Sequence, residues 1–215
     1  MKRGLSMILP ERITTVVLDF NGVISSDLNA AARLLGDILK APLPPEEAYA
    51  RWRSVYLKAS LGQISIEQYW RDLRSSFGLP PHYFPAEEDR WLSSLIPLEP
   101  DMVRTLSKLG QRYTLGLLSN HVGGWTRKLL ARWGLADMFK AVLVSSDIGV
   151  RKPDLSAYHD VCRMLGVQSE VAAYVADEEE DLVAAERVGM FPIFIPGEDR
   201  ESRVGTRIGR LSDLI

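Results

Sequence analysis

The sequence has one cysteine, Cys162, in 215 residues. No internal disulfide can form, and none is needed, because a chain of this length can bury a sizeable apolar core without a covalent staple. Cys162 follows Val161 and precedes Met164 in a helical pattern, so it reads as a packed thiol. Long hydrophobic runs are also missing. No segment approaches the ~20 apolar residues that a membrane helix needs, so no membrane span is expected. The start, "MKRGLSMILPERI", is basic, but Pro10, Glu11 and Arg12 cut its apolar run before it reaches signal-peptide length. A cytoplasmic location is the resulting expectation. Charge of one sign is lacking too: 26 basic residues stand against 28 acidic ones. The basic residues are dispersed, which excludes an evident nucleic-acid patch.

What is present is ordinary for a globular protein, with 46% apolar and 25% charged residues. Apolar runs of strand length recur at 13–20, 113–119, 141–146, 171–176 and 191–195. From residue 99 onward they alternate with amphipathic helical patterns at 99–110, 123–134, 154–166 and 180–189. Continuously apolar strands separated by helices predict an α/β fold, with a parallel sheet flanked by helices on both faces. Between the first two strands lie more than 90 residues in which 25–41, 45–61, 64–78 and 86–96 read as helices. A connection of that length is not a loop. It predicts an all-helical subdomain at 25–98, inserted into a core domain formed by 1–24 and 99–215. Half of the chain's aromatic residues lie in the insertion, Trp52, Trp70 and Trp91 among them. They can form its own core or present a wall to a substrate. Arg51, Arg53, Arg71 and Arg74 can contact an anion or lie on a solvated helix face.

In an open parallel sheet, ligands bind beyond the carboxyl ends of the strands. The first strand ends on Asp19 and Asn21, the second on Ser119 and Asn120, and Lys152 follows the third. The fourth runs into "ADEEED", with Asp177, Glu178 and Asp181. This set suits an anionic substrate. Asp19 can attack as a nucleophile. Ser119 and the backbone N–H groups ahead of Gly123 can hold anionic oxygens. Lys152 supplies a compact positive charge. Magnesium prefers oxygen ligands, and Asp19, the backbone carbonyl of Asn21 and Asp177 would be its natural protein ligands.

Four segments in order, "LDFNGVI", "LLSN", "GVRKPD" and "YVADEEEDLVAAERVGM", resemble the motifs of the haloacid dehalogenase (HAD) superfamily. The insertion resembles the helical cap of its first subclass. The resemblance implies a HAD-like Rossmannoid core and hydrolase activity. It makes Asp19 the nucleophile, gives Ser119 and Lys152 the phosphoryl group, and anchors Mg2+ on the fourth motif. Two departures stand out. Phosphatases of the superfamily carry a second Asp two positions after the nucleophile, where this chain has Asn21, which cannot exchange a proton near neutral pH. The place of the fourth motif's first acid is read as Ala176.

The leading expectation is a magnesium-dependent phosphatase of a small phosphorylated metabolite, slowed by the missing acid–base group. Asn120 is placed with Ser119 and Lys152 in substrate binding. Two alternatives remain open: a 2-haloacid dehalogenase-type hydrolase, and a catalytically silent binding module. His121 is read as a solvated loop residue or as one facing the site.

Overall fold

The computed structural model describes residues 9–196 and 201–215. Residues 1–8, which include the basic start of the chain, lie outside the described residues. The five apolar runs form β1 (Thr15–Leu18), β2 (Thr114–Ser119), β3 (Ala141–Val144), β4 (Ala172–Ala176) and β5 (Phe191–Phe194), and a two-residue edge strand, β6 (Thr206–Arg207), follows. All pair in parallel, in the order β3-β2-β1-β4-β5-β6. The chain steps outward from β1 in one direction through β2 and β3, then returns to pair β4 on the other side of β1. The topological switch point therefore lies at β1, where Asp19 leaves the sheet.

The strand expected over 141–146 stops at Val144, and Ser145–Ile148 forms a short helix, α8. The reason is local. Ser145 Oγ donates to the Ser60 carbonyl at 2.6 Å, and Ser146 Oγ accepts the Gly123 N–H at 2.8 Å, so the serines serve side-chain bonds that end the ladder.

Helices cover both faces. One face presents Val16, Leu18, Leu115, Leu117 and Val175 to α6 (Met102–Gly110) and α7 (Gly123–Arg132). The other presents Val17, Leu118, Tyr174 and Ala176 to α9 (Leu155–Leu165) and α10 (Glu179–Arg187). Cys162 lies in that second core, and burial pushes its thiol up to about 11.

Between β1 and α6 the chain forms α1 (Leu28–Arg33), α2 (Leu35–Leu39), α3 (Pro45–Ser60), α4 (Ile66–Ser76) and α5 (Pro85–Leu92). The single helix expected over 25–41 is two short ones. Asp27 begins α1 by accepting the Asn29 N–H at 2.8 Å, which leaves Ser25 and Ser26 outside. The chain leaves and returns through adjacent segments: Ser26 N–H donates to Ile96 O at 2.8 Å, and Leu98 N–H to Ile24 O at 2.9 Å.

The helical insertion and the core share one interior. Trp125 of α7 is fully buried against insertion aromatics, with ring centroids 4.8 Å from Tyr69 and 4.9 Å from Trp91. Polar contacts surround this aromatic joint. Lys128 lies 2.7 Å from Asp89 and 3.1 Å from Glu88. Tyr56 Oη donates to Asn120 O at 2.9 Å. Burying whole aromatic rings across the joint outweighs the exposed Lys128–Asp89 pair, since surface pairs are worth ~0–1 kcal/mol each.

Candidate active site

Asp19 is the first residue past β1, and its N–H still pairs with Val175 O at 2.9 Å. Strand pairing thus fixes its backbone while its side chain is free to turn toward the sheet edge. One carboxylate oxygen accepts the Phe20 N–H at 2.7 Å. The other lies 2.7 Å from Lys152 Nζ. Burial is the largest influence on Asp19, and Asp181 adds to it. Lys152 opposes both, and the balance raises the carboxyl to about 6.

Lys152 is held from several sides. Its Nζ lies 2.6 Å from Asp181 and donates to Tyr174 Oη at 2.7 Å. Burial alone would lower its pKa, but the two carboxylates outweigh burial and raise it. Its backbone is clamped by Asn120, whose Oδ1 accepts the Lys152 N–H at 2.8 Å and whose Nδ2 donates to Lys152 O at 2.9 Å. The Asn120 amide is committed to positioning Lys152, a task different from the substrate contact expected of it. Tyr158 Oη donates to Asp181 O at 3.0 Å and fixes the first turn of α10 from below.

Ala176 closes β4 with its side chain in the second apolar core, beside Tyr174, Leu182 and Phe194. A carboxylate there would be buried among hydrocarbon, so position 176 is not a lost metal ligand. That reading is corrected: the first acid available to the site is Asp177, one residue beyond the strand. Its carboxylate packs over Gly22, which adopts φ +80°. A Cβ built on Gly22 would lie 2.1 Å from an Asp177 oxygen. The turn after Asp19 therefore needs glycine both for its left-handed backbone and for room.

These groups open into a cavity of about 210 Å³. From the core domain it is lined by Asp19, Asn21, Asn120, Arg151, Lys152 and Asp177, with Glu178 and Asp181 beside them. From the insertion it is lined by Asp27, Asn29, Trp52, Arg53, Tyr56 and Leu57 among others. The aromatics thus divide: Trp70 and Trp91 are core residues, whereas Trp52 and Tyr56 also face the cavity. Of the four insertion arginines singled out in the sequence, Arg53 alone is on this wall. Arg51, Arg71 and Arg74 pair with Glu47, Glu67 and Glu87.

Two buried oxygens bear on what the site could bind. Ser119 Oγ, at the end of β2, and Asn21 Oδ1 have no hydrogen-bond partner among the described residues. Buried polar atoms are normally satisfied, so the Asn21 oxygen, in the cavity that Asp19 also lines, points to a polar ligand, whereas Ser119 is not among the residues that line it. Neither expectation for His121 holds. It is fully buried, stacked near Phe20 with Nδ1 2.8 Å from Tyr56 Oη, and it does not line the cavity. Burial, with Arg151 nearby, lowers its pKa to about 3.

The donor set can be tested against magnesium. Among the described residues no cluster of three His, Cys, Asp or Glu side chains is arranged for a metal. Asp19 and Asp177 nonetheless line one cavity together with Asn21. Hard oxygen donors, two of them carboxylates, fit an ion that keeps several water ligands, as magnesium does.

A model of the haloacid dehalogenase-like hydrolases matches residues 16–195. The chain belongs to that family. Among relatives of this hydrolase, the glyceraldehyde 3-phosphate phosphatase of Methanopyrus kandleri is 34% identical over 98 residues, which are 45% of this chain and 42% of that one. The chain thus spans less than half the length of that relative. In three dimensions the hydrolase resembles a HAD phosphatase from Thermococcus onnurineus, with TM-score 0.71 and 24% identity over 94% of this chain and 96% of the other. It also resembles the L-2-haloacid dehalogenase of Xanthobacter autotrophicus, with TM-score 0.68 and 21% identity over the same shares. Both are likenesses of fold. No helix among the described residues is long and apolar enough to cross a membrane.

Proposed function

We propose that this hydrolase is a phosphatase of a small phosphorylated metabolite that works through an aspartyl-phosphate on Asp19. It would act in the cytoplasm, with magnesium held by Asp19, the Asn21 carbonyl and Asp177. The observation that carries the reading is the buried Asp19 carboxylate, held by Lys152 at 2.7 Å in the lining of a polar cavity. The acidic lining favours a metal-assisted phosphoryl substrate over a halo acid, since Asp27, Asp177 and Glu178 would repel a carboxylate arriving without a metal.

Lys152 keeps the Asp19 carboxylate ionised and oriented, and its charge also attracts the phosphoryl oxygens. Ser119 Oγ donates to one of those oxygens. Asp181 and Tyr174 hold Lys152 on the reaction axis, and Asn120 holds its backbone. Bound magnesium supplies charge neutralisation for the transferring group. Asp19 attacks phosphorus, the leaving oxygen departs, and water then cleaves the aspartyl-phosphate.

The test is turnover of an aryl phosphate with magnesium, for the native protein and for Asp19→Asn and Asn21→Asp. Asp19→Asn should abolish turnover. Asn21→Asp should raise it, approaching the ~10²-fold of a positioned acid–base group. Turnover that survives Asp19→Asn would remove the reading.

A further inference from the structure

A phosphatase that makes its product by expelling an alkoxide needs a proton for the departing oxygen. The residue beside the nucleophile, Asn21, has none to give. The lysine, the tyrosine and one of the carboxylates around the cavity are already engaged. Lys152 is fixed to Asp19, Asp181 and Tyr174. Tyr56 uses its hydroxyl on Asn120 O and His121, and burial raises its pKa further. Asp27 accepts the Asn29 N–H as the cap of α1. His121 is sealed behind the wall. An alkoxide is a strong base and leaves poorly under these conditions. A carboxylate or a phosphate leaves readily as it is.

The same cavity also carries groups suited to such a leaving group. Arg53, on the insertion, bonds Tyr49 Oη at 3.0 Å, and Arg151, on the core, bonds Ser60 Oγ. Both line the cavity. Among the described residues neither has a carboxylate within ion-pair distance, in contrast to the neighbouring Lys152 and to Arg51, Arg71 and Arg74 of the insertion. Two guanidinium groups without a carboxylate partner among the described residues line the same cavity as a nucleophile that lacks an acid. Space is limited as well. The cavity is about 210 Å³, and Trp125 and the contacts around it tie the insertion to the core.

We propose that the substrate is a small phosphoryl compound whose leaving group departs as a stable anion, an acyl phosphate or a phosphoanhydride, and that Arg53 and Arg151 receive that anion. This rests on the phosphatase reading and narrows it. In the first step an Asp19 oxygen forms a bond to phosphorus. The bond from phosphorus to the bridging oxygen breaks, and the carboxylate or phosphate leaves with the electron pair and no proton. In the second step a water oxygen bonds to phosphorus and the bond to Asp19 breaks. Asp19 is regenerated as a carboxylate, and the proton released from water goes to inorganic phosphate and solvent. The second step also lacks a base at position 21, so the aspartyl-phosphate should accumulate and give a burst of the first product.

The test uses the native protein with excess magnesium. Substrates are acetyl phosphate, inorganic pyrophosphate, a series of aryl phosphates of graded leaving-group basicity, and ethyl phosphate. Each kcat/KM is divided by the uncatalysed rate, so that intrinsic reactivity cancels. The expected result is that acetyl phosphate or pyrophosphate exceeds ethyl phosphate by ~10²-fold in this ratio, the usual weight of a missing acid. Which of the two is higher assigns the source of the anion. A burst should precede steady turnover. Asn21→Asp should flatten the dependence on leaving-group basicity. Arg53→Gln and Arg151→Gln should raise KM for the preferred substrate about tenfold, as expected for a charged hydrogen bond, and for an aryl phosphate by less. If Asn21→Asp does not fold, the native series decides alone. Equal ratios for ethyl and acetyl phosphate would overturn this inference and leave the phosphatase reading standing. No turnover and no aspartyl-phosphate with any member would remove both.

Discussion

Lys152→Met is the most severe single test of how the site is built. The side chains are of similar length, so the change removes charge and little volume. It leaves Asp19 and Asp181 buried without the ammonium that lay 2.7 and 2.6 Å from them. Removing one member of a buried ion pair costs ~3–5 kcal/mol, because the remaining charge has neither water nor partner. The cost should depend on pH, and the sign follows from Asp19. In the native protein its carboxyl is raised from 3.8 to about 6. The stability linked to that shift is fully present below pH 3.8 and lost as pH rises through 6, about 3 kcal/mol if fully expressed. Without Lys152 the opposition to burial is gone and the carboxyl rises further. The variant therefore keeps losing stability above pH 6, where the native protein has finished doing so. At pH 5 a proton on Asp19 removes one of the two stranded charges. The expected loss is ~3–5 kcal/mol at pH 8 and under ~2 kcal/mol at pH 5. Urea unfolding at both pH values, in chelator to keep metal away from Asp19, measures it. At pH 8 the midpoint of thermal unfolding should fall by roughly 10 °C, given ~2–4 °C per kcal/mol at this size. Adding Asp19→Asn to Lys152→Met should return part of the loss, with non-additivity above ~1 kcal/mol. A loss below ~1 kcal/mol, or an equal loss at both pH values, would refute the electrostatic account of this cluster.

Three further expectations concern separate parts of the molecule. His121, lowered from 6.5 to about 3, stays neutral in the folded state while the unfolded chain takes up a proton; stability should fall by about 2 kcal/mol from pH 6.5 to 5, and His121→Phe should remove that slope in urea titrations. Asp177→Ala should weaken magnesium binding more than Asp181→Ala in calorimetry, since Asp181 is already spent on Lys152; the reverse order would reassign the metal ligand. Trp125→Ala should cost ~3–5 kcal/mol by urea unfolding, the usual penalty for emptying a buried aromatic site; a loss under ~1 kcal/mol would mean that the insertion does not depend on α7.

The core of the site was legible because sheet geometry places it. Parallel strands buried on both faces read as continuous apolar runs, and the polar residues at their ends must share one edge whatever the side chains between them do. Asp19, Lys152 and Asp177 follow from that alone. The contact of Asp181 with Lys152 had no such signal: Asp181 lies in the first turn of α10, and its pairing with a loop residue 29 positions earlier is non-local. Ala176 was misread because counting along a motif ignores strand alternation. Residues 172, 174 and 176 face the apolar side together, and that parity excludes a carboxylate at 176.

What sequence patterns do not carry is the seam between insertion and core. Helical periodicity marks Trp125 as inward-facing, but its partners Tyr69 and Trp91 lie more than thirty residues away in another unit. His121, between Asn120 and Val122, has the polar flank of a loop residue, and the aromatic stack that buries it is non-local. The same limit applies to Arg53. Its helix carries Arg51 two positions earlier, and only the position of Glu47 separates the paired arginine from the cavity-facing one. The missing acid at Asn21 could be read directly. The hydroxyl of Tyr56, by contrast, is tied up across the seam by Asn120 and His121, contacts that no local pattern carries.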